Sequence, residues 1–158
     1  MRHSLIRFPI LLLVACLLSA CSASGPQSIN YGTDLCDYCD MTIADKAFGS
    51  ELVTKKGKVL KYDSIECLAA ADLEKGTDFH DVHSRWVTDF YNPGTFLSTD
   101  AAIIVATDRQ KSPMGVGLVA VNSQNQAADL ITAKGGRVVN WEETKTIVAE
   151  TWKLEIPR

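Results

Sequence analysis

The sequence predicts an α+β fold made of two similar ββαβ units packed together. Three observations carry that prediction. The order strand, strand, helix, strand occurs twice along the chain. Each helix is preceded by a capping pair, Asp63-Ser64 and Asn122-Ser123, and both helices contain Ala-Ala-Asp-Leu, at 70–73 and 127–130. A four-residue echo is weak evidence alone, and a single α+β domain with chance similarity is the alternative. The matching order of elements around the echo is what argues for duplication.

The first 20 of 158 residues, MRHSLIRFPILLLVACLLSA, set Arg2 and Arg7 ahead of an apolar run from residue 8 to 18, followed by small residues. That is the pattern of a secretory signal. The run is short for a membrane-crossing helix, which needs about 20 apolar residues. Leu18-Ser19-Ala20-Cys21 resembles the bacterial lipoprotein cleavage box, in which the cysteine becomes the lipid-bearing first residue. The next residue is Ser22, not an aspartate, and by resemblance to lipoprotein sorting signals this favours a periplasmic location on the outer membrane. Residues 21–34 then read as lipidated Cys21 and a small, polar, flexible tether.

The first unit spans 35–97. Strands at 51–54 and 59–62 flank Lys55-Lys56-Gly57-Lys58, whose glycine suits a hairpin turn. Asp63-Ser64 offers an N-cap for a helix over 65–73 that ends at Gly76. A strand at 86–91 is broken by Asn92-Pro93-Gly94. The second unit and a C-terminal segment span 98–158. Strands at 101–107 and 117–121 lead to the Asn122-Ser123 cap and a helix over 126–134. Gly135-Gly136 stops it, a short strand follows at 137–141, and 142–150 reads as a short helix.

Charge narrows the function. Removing the two arginines of the signal from the 16 basic side chains leaves 14 against 19 acidic ones, a net −5. That balance offers no basic footprint for nucleic acid. No mid-chain apolar run reaches 18 residues, which excludes a multi-span membrane protein. Serines lack a G-x-S-x-G context and no glycine-rich phosphate loop follows a strand. The chain offers ligands more readily than catalysts, and it reads as a non-enzyme.

Of five cysteines, Cys16 leaves with the signal and Cys21 takes lipid, so Cys36, Cys39 and Cys67 remain. An odd count in an oxidising compartment implies a free thiol, a metal ligand or an intermolecular partner. The densest cluster is Cys36-Asp37-Tyr38-Cys39-Asp40-Met41. Thiolate and thioether are soft ligands that select Cu(I). The pair also reads as a structural disulfide or a C-x-x-C redox pair, with Met41 as core filler. The redox reading makes the chain a lipid-anchored thiol–disulfide oxidoreductase. Against it, redox pairs usually cap a helix, whereas here Asp37 and Asp40 would raise the thiol pKa and a strand pattern follows. Cys67 lies inside the first helix and reads as a small buried cysteine. His80 and His83 complete a C-x2-C…H-x2-H pattern whose histidine spacing is tight for Zn²⁺. Met114, in Ser112-Pro113-Met114-Gly115, reads as an incidental loop residue, unless the two units bring that loop to Cys39 and Met41, which on a strand would share a face.

Together the lipoprotein box, Cys36-Asp37-Tyr38-Cys39-Asp40-Met41, Glu51-Leu52-Val53, Gly57-Lys58-Val59, Asp63-Ser64-Ile65-Glu66-Cys67, Thr88-Asp89-Phe90-Tyr91 and Ser112-Pro113-Met114-Gly115 resemble the nitrous oxide reductase accessory lipoproteins, the NosL family. The resemblance covers about 35–141. It implies a two-part ββαβ fold and a periplasmic Cu(I) metallochaperone. Its partners would be nitrous oxide reductase, whose catalytic copper–sulfide centre it supplies, and an ABC-type transporter complex. By position it implies that Cys39, Met41 and Met114 ligate copper, with Cys36 assisting or pairing with Cys39 when metal is absent.

Overall fold

The computed structural model describes residues 25–75 and 81–155. The signal segment, Cys21, Gly76 and His80 therefore lie outside the described residues. Strands β1 (Ser50–Thr54) and β2 (Val59–Tyr62) form a hairpin, followed by α1 (Ile65–Lys75), β3 (Val82–Thr88) and β4 (Phe96–Ser98). The second half comprises β5 (Ile103–Ala106), β6 (Leu118–Val121), α2 (Gln124–Lys134), β7 (Arg137–Val139) and α3 (Trp141–Trp152). The sheets run β2-β1-β3-β4 and β6-β5-β7, with antiparallel pairing throughout. In each half the first strand is central, between its hairpin partner and the strand that follows the helix. This is the expected mixed fold with two similarly connected units.

The capping chemistry is the same in both. The Ser64 hydroxyl accepts the Cys67 N–H at 3.4 Å, and the Ser123 hydroxyl accepts the Gln126 N–H at 3.3 Å. Each satisfies one orphan donor of its helix start. Counted from these serines, Ala70 is the sixth residue on and Ala127 the fourth. The Ala-Ala-Asp-Leu echo is thus out of step with the caps, and connectivity is the better witness to similarity.

Three elements differ from expectation. β3 begins at Val82 rather than 86, because His83-Ser84-Arg85 hides its strand character behind polar side chains. Asn140 leaves β7 to cap α3: its side chain accepts the Glu143 N–H while Glu143 returns a bond to the Asn140 N–H. β4 carried no sequence signal. The segment read as a tether also lies on the sheet from residue 27 onward. The Gln27 N–H donates to Glu51 Oε2 at 2.7 Å, Lys61 Nζ donates to the Ser28 carbonyl at 2.9 Å, and Ile29 is buried.

One core serves both halves. Leu52, Tyr62, Ile65, Leu68 and Val87 of the first pack with Ile104, Leu118, Ala120 and Val148 of the second. Strand alternation sends Val105, Val119 and Val121 to the opposite face, under Ala127 and Leu130 of α2. A polar node crosses the same seam. Asp72 of α1 accepts from Arg85 at 2.6 Å and from the Trp141 indole at 3.0 Å, with Lys145 at 3.9 Å. Asp72 is buried, so removing it strands its donors. Asp72→Ala is expected to cost about 2–3 kcal/mol, read as a lower urea midpoint at unchanged slope. A loss under about 0.5 kcal/mol would show that the node does not hold the halves together.

Candidate metal centre

The Cys36–Met41 segment is a tight turn on the outer edge of the first sheet. Leu35 and Thr42 form an antiparallel bridge at its base. The Cys36 N–H donates to the Met41 carbonyl at 2.8 Å, and the Asp40 N–H donates to the Cys36 carbonyl at 3.0 Å. Asp40 adopts φ 59°, a left-handed conformation that aspartate tolerates better than most residues. That turn replaces the strand in which Cys39 and Met41 would share a face. Cys39 is half-buried, and Met41 is 54% exposed.

Edge pairing fixes the turn in place. The Asp37 N–H donates to the Lys61 carbonyl at 2.8 Å, and the Lys61 N–H donates to Asp37 Oδ2 at 2.7 Å. The β2 edge is thereby covered. Lys61 Nζ also meets Asp34 Oδ2 at 2.6 Å, just ahead of the turn. On the other side Tyr38 stacks on Trp152 of α3, with centroids 6.0 Å apart, and donates its hydroxyl to Glu74 at 2.9 Å.

The consequence is a convergence of thiols. Cys36 and Cys67 are fully buried, and the sulfurs of Cys36, Cys39 and Cys67 lie within 4.8 Å of one another. The Cys67 thiol lies 3.9 Å from Cys39 Sγ. All three are free thiols. A metal–thiolate bond of about 2.3 Å sets two sulfurs roughly 3.8–4.0 Å apart at tetrahedral or trigonal angles, and about 4.6 Å apart when linear. The spacing fits one ion. Reading Cys67 within its helix showed a buried cysteine, which it is, but could not show its two sulfur neighbours. The only available signal was its place in the first turn after the Ser64 cap.

The thiols are not equivalent. Cys36 is drawn down to about 5, chiefly by a hydrogen bond from the Cys67 thiol, against its burial, with help from the backbone N–H groups of Cys39, Asp63 and Tyr38. Cys39 is pushed up mainly by burial, and Cys67 is pushed up by donating to Cys36 and by burial. Cys36 is thus the most readily ionised of the three sulfurs. The acids Asp37 and Asp40 do not govern Cys36, contrary to the sequence expectation.

Met114 sits half-buried at the surface of the same core that contains Cys36 and Cys67. His83 is exposed on β3, bonded to Ser84 at 3.0 Å, and is not among the grouped ligands of the described residues. No helix among the described residues is long and apolar enough to cross a membrane.

The family model of NosL matches residues 27–148, and the chain belongs to that family. Among solved structures it resembles one described as the copper chaperone NosL from Shewanella denitrificans. The two are 24% identical with a TM-score of 0.65, over 75% of this chain and 94% of the other. That likeness shows the fold. No curated protein matches the chain.

The Lys61–Asp34 pair supplies a pH test of the turn's anchoring. Asp34 is held down to about 2, first by its hydrogen bond from Lys61 and then by the Asn30 backbone N–H. A depressed carboxyl stabilises the fold above its ordinary value near 4, and that contribution is lost as pH falls through about 2. Asp34→Asn should therefore melt below wild type by a constant margin from pH 7 to 5, closing between about pH 4 and 2. A margin that persists at pH 2 would contradict the assignment.

Proposed function

We propose that this protein is a lipid-anchored periplasmic carrier of Cu(I) that delivers copper for the copper–sulfide centre of nitrous oxide reductase. The observation that carries the reading is the three-sulfur convergence, with Cys39 half-exposed beside an exposed Met41. Family membership and the copper chaperone of similar fold support it. Copper is cargo here, held by Cys36, Cys39, Met41 and Met114, with Cys67 behind them as a further sulfur. Soft sulfur donors favour Cu(I) over ions that prefer oxygen or nitrogen. Burying Cu(I) with three full thiolates would leave net negative charge in the interior, so a set that includes thiols or thioethers is favoured. Exposure of Cys39 and Met41 gives an acceptor's ligands a way in before the carrier's let go.

Delivery would take place with the reductase and an ABC-type transporter complex, from a membrane position set by lipid on Cys21. Cys21→Ala should move the protein from the membrane fraction to the soluble periplasm or leave it unprocessed. A wild-type protein found wholly soluble would refute the anchor.

The chain purified anaerobically should take up one equivalent of Cu(I) and displace no copper for Zn²⁺. Cys36→Ser and Cys39→Ser should each weaken Cu(I) binding by about two orders of magnitude or more, since each exchanges a soft ligand for a hydroxyl. Cys67→Ala should weaken it by about tenfold, in line with a neighbour that also tunes Cys36. Wild-type affinity in Cys39→Ser would overturn the proposal.

A further inference from the structure

The two units meet beside the site through a buried carboxylate. Glu66 follows Ile65 in the first turn of α1 and precedes Cys67, and it is fully buried. Its Oε1 accepts the Ser112 hydroxyl and, at 3.5 Å, the Leu118 N–H. Ser112 is itself buried, and its Oγ accepts the Gly117 N–H at 2.9 Å. One side chain of the first unit thus gathers both ends of a loop of the second.

Within that loop the Ser112 carbonyl accepts the Gly115 N–H at 3.0 Å, closing a four-residue turn with Pro113 second and Met114 third. Proline pre-sets the backbone for that place and biases Ser112 toward extended geometry. Gly117 closes the loop at φ 83°, where a Cβ would fall 1.9 Å from the Thr107 carbonyl oxygen. Glycine is required there. The turn is therefore constrained in itself, and its side-chain attachment to the helix that carries Cys67 is the Glu66–Ser112 bond.

A carboxylate buried in an apolar seam is costly unless its bonds are satisfied, and Glu66 Oε2 has no partner. An apolar side chain would fill the seam without that cost. What it could not do is hold Ser112 in one place.

We infer that the Glu66–Ser112 pair positions Met114 for the bound metal, coupling the loop of the second unit to the helix that carries Cys67. The inference rests on the reading above of Met114 as a copper ligand. Neither Glu66 nor Ser112 touches the ion; both act through Met114.

The test is a double-mutant cycle on Cu(I) affinity in the full chain, measured by competition with a chromophoric Cu(I) chelator. Ser112→Ala should weaken binding by about tenfold in the Met114 background and by less than about twofold in Met114→Ala. Glu66→Gln keeps Oε1 as the acceptor and should stay near wild type. Ser112→Ala/Glu66→Leu removes both partners and leaves no buried carboxylate unpaired, at the cost of the side-chain acceptors of the Gly117 and Leu118 N–H groups, and answers the same question if the single variant folds poorly. Equal weakening by Ser112→Ala in both backgrounds would make the pair merely structural and overturn the inference. Wild-type affinity in Ser112→Ala, with Met114→Ala weakened, would overturn it while leaving Met114 a ligand. Wild-type affinity in Met114→Ala would remove Met114 from the site and the inference with it.

Discussion

The site depends on one contact between distant parts of the chain, the docking of the Cys36–Met41 turn against the first turn of α1. That contact buries Cys36 and Cys67 completely and sets the three sulfurs within 4.8 Å. Ordering a turn with a left-handed aspartate costs conformational entropy, and two thiols alone would not offset it. The edge bonds to Lys61, the Tyr38–Trp152 stack and the Tyr38–Glu74 bond do. They engage β2, α3 and α1 in turn, so the turn is held from three sides by parts of both units. The seam between the two units matters here because it is where these parts meet.

Burial divides the labour among the sulfurs. Cys36 and Cys67 are sealed, so whatever they hold is shielded from water and from oxidants. Cys39 is half-open and Met41 is open, so the cluster is reached from solvent on that side. Cys67 donates to Cys36 and draws its thiol down, which makes Cys36 the most readily ionised of the three.

Much of the fold was legible because its signals are local. Ser64 and Ser123 cap as read, the Lys55-Lys56-Gly57-Lys58 turn joins its strands, and Gly135 ends α2 at φ 70°. What escaped was long-range or polar. His83-Ser84-Arg85 belongs to β3 because Arg85 turns inward to Asp72, a partner on another element. Asn140 caps α3 instead of extending β7, since a capping box outweighs one more ladder pair. In the site, composition alone marked Cys36–Met41 as the densest run of sulfur side chains. Cys67 carried no such mark, because a helical cysteine looks alike whether its neighbours are leucines or sulfurs. Glu66 and Ser112, 46 residues apart, carry no sequence signal of their pairing.

The central claim is that a single Cu(I) is held by sulfur alone at the seam of the two units. X-ray absorption at the copper edge on the anaerobically loaded protein tests it most directly. The account predicts a Cu(I) edge and a shell of two to four sulfurs at about 2.3 Å, with no nitrogen or oxygen neighbour. A shell dominated by nitrogen or oxygen would contradict it.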